Sequence, residues 1–150
     1  GFAAGSGITP ILSLIATTLE ESEHAKFTLV YGNRRMGSVM FNEALQDLKD
    51  KYKSRLTLIH ILSRQAQEVP LLEGRIDGAK VRQLLDTLLP AASMDEVFIC
   101  GPEAMMRAVA TIGTGSGLET AVIGSSGTIS RATMLMILIS GLTAGPAVSL

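Results

Sequence analysis

The sequence holds one cysteine, Cys100, and two histidines, His24 and His60, in 150 residues. A single thiol rules out an internal disulfide framework, and it cannot supply the four thiolates that an iron–sulfur cluster normally takes. Two isolated histidines without carboxylates or thiols at ligand spacing offer no metal site. Basic excess is missing too: 13 Lys and Arg against 14 Asp and Glu leave a formal charge of −1 and a pI near 6.1. Such a balance lacks the positive field on which nucleic-acid binding draws. The apolar run Met134 to Ile139 is far short of the ~20 residues a spanning helix needs, so no membrane anchor is expected. The chain opens at Gly1, without an initiator Met or a basic signal-peptide start. We expect a fragment or processed product in a reducing cytoplasm.

What is present is an alternation of strand and helix patterns. Gly1 to Ala4 reads as the end of a truncated strand. Phe27 to Tyr31, Leu56 to Leu62 and Glu96 to Cys100 are short β-rich runs, with Ala121 to Ile123 a weaker one. Ile11, Leu14, Ile15 and Leu19 recur at helical spacing behind Thr9 as N-cap and Pro10 in the first turn. A second helix carries Phe41, Leu45, Leu48 and Tyr52 after a Ser38 cap. A third starts after Asp77, aligns Val81, Leu84, Leu85 and Leu88, and ends at Pro90. A fourth runs from Pro102 through Met105, Met106, Val109 and Ile112. This rhythm predicts an α/β fold: a three-layer, doubly wound parallel sheet of about five strands over residues 1–123, Rossmann-like, followed by an atypical apolar tail over 124–150.

Ligands of such sheets lie outside the carboxyl ends of the strands, near the point where strand order reverses. The residues at those ends are therefore the candidates: Gly5, Ser6 and Gly7; Gly32, Asn33, Arg34 and Arg35; Ser63 and Arg64; Gly101 and Pro102. Small residues let a ligand approach the backbone, hydroxyls and N–H groups take phosphate oxygens, and guanidinium pairs with phosphate in two bonds. AAGSGITP (Ala3–Pro10) and FICGPEAMM (Phe98–Met106) each join a strand to a helix that opens at a proline, and each can aim N–H groups at an anion. Alone, Gly5 and Gly7 equally fit a tight turn. The third glycine of the ordinary dinucleotide fingerprint is replaced by Pro10, and Asn33 and Arg34 stand where an acid would hold an NAD ribose. Arg34 with Arg35 also fits a solvated surface pair, and Ser63 with Arg64 an ordinary loop. Met105 and Met106 also fit simple core filling, and Glu20, Glu21 and Glu23 a solvated face.

The ordered set AAGSGITP, LVYGNRR, HILSR and FICGPEAMM resembles the nicotinamide-nucleotide domain of the ferredoxin–NADP reductase family of flavoproteins. The likeness covers roughly residues 1–112 and is strongest to the electron-transfer components of oxygenases of the phenylacetyl-CoA epoxidase reductase type, where a GRID segment like Gly74 to Asp77 also occurs. The resemblance implies that Gly5, Ser6, Gly7, Ile8, Thr9 and Pro10 meet the pyrophosphate and nicotinamide side of the cofactor. It sets Tyr31, Gly32, Asn33, Arg34 and Arg35 along the pyrophosphate and adenosine half, and Ser63 and Arg64 at the 2′-phosphate, which implies NADP over NAD. The turn of Cys100, Gly101, Pro102, Glu103, Met105 and Met106 would also line the cofactor. Cys100 would sit beside the nicotinamide ring in a positional role, since hydride transfer is the cofactors' own chemistry; nothing near it marks a nucleophile.

The family's flavin signature, Arg-x-Tyr-Ser or Arg-x-Tyr-Thr, is absent, as are the cysteines of a plant-type ferredoxin module. FAD and an iron–sulfur cluster are thus implied only for missing domains, with an oxygenase as the further partner. Two functions remain open: the NADPH-binding part of a flavin-dependent oxidoreductase, inactive alone, or a truncated nucleotide-binding module without catalysis.

Overall fold

The computed structural model describes residues 1–124. The tail expected over 124–150 lies, beyond Gly124, outside the described residues. Strands β1 (Phe2–Ala4), β2 (Phe27–Asn33), β3 (Leu56–Leu62), β4 (Glu96–Cys100) and β5 (Glu119–Val122) alternate with helices α1 (Ile8–Glu21), α2 (Asn42–Tyr52), α3 (Gly78–Thr87) and α4 (Glu103–Gly115). The strands form one parallel sheet in the order β3-β2-β1-β4-β5. Order therefore reverses between β1 and β4, as a doubly wound sheet requires.

Side chains that alternate along the strands feed two cores. On one face Ile8, Ile11, Ile15 and Leu19 of α1, with Leu45 and Tyr52 of α2, pack on Leu29, Tyr31 and Leu56. On the other, Val81 and Leu84 of α3, with Met105 and Val109 of α4, pack on Val30, Ile61 and Ile99. Each fully buried Ile or Leu contributes about 1.5–3 kcal/mol relative to exposure. The expected three-layer α/β architecture is the one observed.

Local starts and stops differ from the sequence reading in several places, and α3 stops at Thr87, short of Pro90. Thr9 is not the N-cap of α1, because a 3-10 turn over Gly5–Gly7 runs straight into the helix at Ile8. Ser38 caps no α-helix; its hydroxyl closes a 3-10 turn by donating to the Arg35 carbonyl at 2.8 Å, and α2 begins at Asn42 after Phe41 in the left-handed region. Phe41 and Leu88 are exposed rather than on the packed faces of their helices. β2 continues two residues past Tyr31, and β5 is Glu119–Val122 rather than Ala121–Ile123. Asp77 does cap α3, its Oδ1 accepting from the Lys80 backbone N–H at 2.8 Å. The far end of α1 is closed by Arg55, whose guanidinium donates to the Leu19 and Ser22 carbonyls at 3.0 and 2.7 Å.

Candidate nucleotide site at the carboxyl edge of the sheet

The turns after β1 and β4 meet at the switch point. A Cβ on Gly7 would lie 2.2 Å from the Cys100 carbonyl oxygen, so only glycine lets these two chain segments touch. Gly5, at φ +54°, takes the left-handed conformation that starts the 3-10 turn. This turn leads its N–H groups into α1 with Gly5, Ser6 and Thr9 exposed and Pro10 half-buried. Those first N–H groups have no partner inside the helix and carry its positive dipole end.

Across the sheet, the β2–β3 pairing persists beyond the ends of both strands. Ser63 N–H donates to the Asn33 carbonyl at 3.0 Å and Arg64 N–H to the Arg34 carbonyl at 2.9 Å. Gln65 ties the loops together further out, its Oε1 accepting from Met36 N–H at 3.0 Å. The result is a cleft of about 460 Å³ lined by Arg34, Arg35, Gly37, Ser38, Arg64 and Gln65. Among the described residues none of these three arginines is in an ion pair; the pair recorded is Glu103 with Arg107 in the first turns of α4. Neighbouring strands lie about 4.8 Å apart, so one to two strand spacings separate the cleft from the glycine turn. That span suits an extended phosphate-bearing ligand.

The predicted residues thus fall into two groups. Ser6, Thr9, Arg34, Arg35, Arg64, Pro102 and Glu103 are exposed, and Gly32, Asn33, Ser63, Gly101 and Met106 are half-buried. Ile8, Tyr31 and Met105 carry their side chains in the core, so they support the edge from beneath. Cys100 is 7% exposed, and burial pushes its thiol pKa up, which keeps it a neutral thiol at physiological pH. His60 is half-buried against Tyr31, with neither ring nitrogen partnered, and burial pushes its pKa down. Among the described residues no cluster of three His, Cys, Asp or Glu side chains could hold a metal ion, and no helix is long and apolar enough to cross a membrane. The sequence reading missed Gly37, Ser38 and Gln65. Their signal is the contact between two loops, and no local pattern records it.

The family described as the oxidoreductase NAD-binding domain matches residues 2–111. The chain is similar to a component of the 1,2-phenylacetyl-CoA epoxidase of Escherichia coli, at 55% identity over 104 residues, 69% of this chain and 29% of that protein. It is also similar to the ferredoxin reductase component of 3-ketosteroid-9-alpha-monooxygenase from Mycobacterium tuberculosis, at 39% identity over 106 residues, 71% of this chain and 26% of that protein. The chain therefore spans between about a quarter and a third of the curated relatives it matches. In fold it is similar to the cytochrome b5 reductase domain of Ulva prolifera nitrate reductase, with a TM-score of 0.63 at 20% identity, covering 79% of this chain and 44% of that one. Ferredoxin-NADP+ reductase from Plasmodium falciparum with 2′P-AMP follows at a TM-score of 0.60 and 17% identity, covering 82% and 49%. The doubly wound sheet with its glycine turns at the switch point and a family match over most of the chain lead to one conclusion: the chain belongs to the oxidoreductase NAD-binding domain family.

Proposed function

We propose that this domain binds NADPH in preference to NADH and orients its nicotinamide for hydride transfer to FAD carried on a separate domain, from which electrons pass to an oxygenase. The observation that carries the reading is the trio Arg34, Arg35 and Arg64 around one cleft, among the described residues without a carboxylate partner. A dianionic 2′-phosphate is the part of NADP that NAD lacks, and guanidinium is the group best shaped to receive it. The turn at Gly5–Gly7 fits a pyrophosphate, since Gly5 and Ser6 are exposed there and the space beside Gly5 is open.

Bound nicotinamide supplies the hydride. The chain's own contribution is placement: N–H groups at the start of α1 hold the pyrophosphate, the arginine cleft anchors the far end, and the turn at Cys100 sets the ring's depth. Cys100 acts by position, because its buried neutral thiol is a poor nucleophile. The oxygenase follows the names of the relatives, a part of an epoxidase and a ferredoxin reductase component of a monooxygenase, and the FAD domain follows the likeness of the four motifs to flavoprotein reductases. A reducing, cytoplasmic setting goes with this reading, as does the further ferredoxin-like module.

Thermal melts of the chain alone, with NADP and with NAD at matched concentrations test it, since a ligand that binds only the folded state raises the midpoint. A shift chiefly with NADP is expected. Equal shifts would end the case for NADP preference, and no shift with either would overturn nucleotide binding by this chain.

A further inference from the structure

Tyr31 is fully buried, yet its hydroxyl reaches the turn that opens α1 and donates to the Gly5 carbonyl at 2.9 Å. The same carbonyl oxygen accepts from Ile8 N–H, so both of its lone pairs point inward. Among the described residues every peptide bond is trans, and in a trans peptide the C=O and the following N–H point in opposite directions. Holding the Gly5 oxygen toward Tyr31 therefore turns the Ser6 N–H outward, where Ser6 is exposed at the carboxyl edge. A clamp is needed because Gly5 itself imposes little: a residue without Cβ visits both signs of φ with similar ease. Tyr31 is in turn braced by the His60 ring, 6.1 Å away between centroids. Burial raises its phenol pKa, with the Asn33 side chain and the Met40 backbone acting against that, so the hydroxyl remains a donor at neutral pH.

We propose that Tyr31 is a positioning residue for the nucleotide: through the Gly5 carbonyl it locks the Gly5–Ser6 peptide with the Ser6 N–H presented to the pyrophosphate. The inference rests on the nucleotide-binding reading and adds to it a buried side chain that touches no ligand. It also gives the buried Tyr31 hydroxyl a task that phenylalanine at this position would leave undone.

The test is a titration of the ¹⁵N-labelled chain with inorganic pyrophosphate and then NADP, in the wild type and in Tyr31→Phe, following the Ser6 amide, with ligand-free melts alongside. Expected is a downfield move of the wild-type Ser6 amide proton with both probes. In Tyr31→Phe that move is lost and both NADP and NAD bind about three- to tenfold more weakly, the worth of one hydrogen bond. Unchanged affinity and an unchanged Ser6 shift in Tyr31→Phe would overturn the proposal, with only the melt reporting a structural role. A wild-type chain that binds NADP while its Ser6 amide stays still would overturn it too, independently of how the variant folds, and would leave nucleotide binding intact. A wild-type chain that binds neither probe would overturn both.

Discussion

Arg64 donates its backbone N–H to the carbonyl of Arg34 at 2.9 Å, one rung past the end of both strands. This extra rung brings two arginines, distant in sequence, to the mouth of one cleft. Arg64→Ala is expected to weaken NADP at least about tenfold, the scale of a hydrogen bond to a charged group, with a much smaller effect on NAD. Calorimetric titration with both cofactors checks this, and parallel losses would place the 2′-phosphate elsewhere.

Gly7 is constrained from the other side of the switch point. Its Cβ position is occupied by the Cys100 carbonyl, a backbone atom that cannot swing away. Gly7→Ala is therefore expected to lower the ligand-free melting midpoint by several degrees, equivalent to about 1–3 kcal/mol of overpacking. Ser6→Ala, on an exposed neighbour, serves as the control. A Gly7→Ala chain that melts like the wild type would show that the two turns are not in contact.

His60 shapes the pH response below neutrality. Burial pushes its pKa below the usual 6.5, and neither ring nitrogen has a partner. The ring binds its proton more tightly when the chain is unfolded, so its contribution is complete above the unfolded pKa and is lost as pH falls toward the folded one. The melting midpoint should therefore fall as pH drops below about 6.5, and His60→Phe should remove that part of the fall. A fall unchanged in His60→Phe would mean that the ring is not buried as described.

Glu96 acts with the opposite sign. It lies directly opposite Glu119 in the β4–β5 register, and burial, then Glu119 and Asp95, raise its pKa. The folded chain therefore holds the proton more tightly, and stability is lost as pH rises through the folded pKa. Glu96→Gln should stabilise the chain at pH 7 by about 0.2–1 kcal/mol, relieving a like-charge cross-strand pair. The gain should vanish below pH 4. Denaturant melts at the two pH values decide it.

Strands buried on both faces announce themselves as unbroken apolar runs. Leu56 to Leu62 and Glu96 to Cys100 come near that pattern, broken by Thr57, His60 and Glu96, and their β-branched and apolar residues made them and the α/β alternation legible. Gly32 and Asn33 extend β2 by pairing with Ile61 and Leu62, a property of the partner strand that their own side chains do not signal. The start of α1 was misplaced at Thr9 because capping preference speaks for hydroxyl residues, whereas here a 3-10 turn over Gly5–Gly7 precedes the helix and its carbonyls accept from the Ile8 N–H. At the candidate site, Arg34, Arg35 and Arg64 could be named from strand ends. That they share a cleft with Gln65 depends on the Met36–Gln65 hydrogen bond across 29 residues, and the inward role of Tyr31 depends on one carbonyl.

The sheet's centre is also its least local part. β1 joins β2 through Phe2 and Val30 and β4 through Phe2 and Ile99, so the middle strand, three residues long, closes the sheet's longest loop in its pairing with β4. Pairings of this kind carry the largest entropy of closure and are slow to form. The β2–β3 pair, seven residues deep and bridged by one helix, can assemble earlier. Pulse-labelled hydrogen exchange during refolding should then protect Leu58 and Ile59 before Ala3, and simultaneous protection would refute that order. On this sequence of events the arginine cleft exists before the glycine turn has a floor, and nucleotide affinity is the last property the chain acquires.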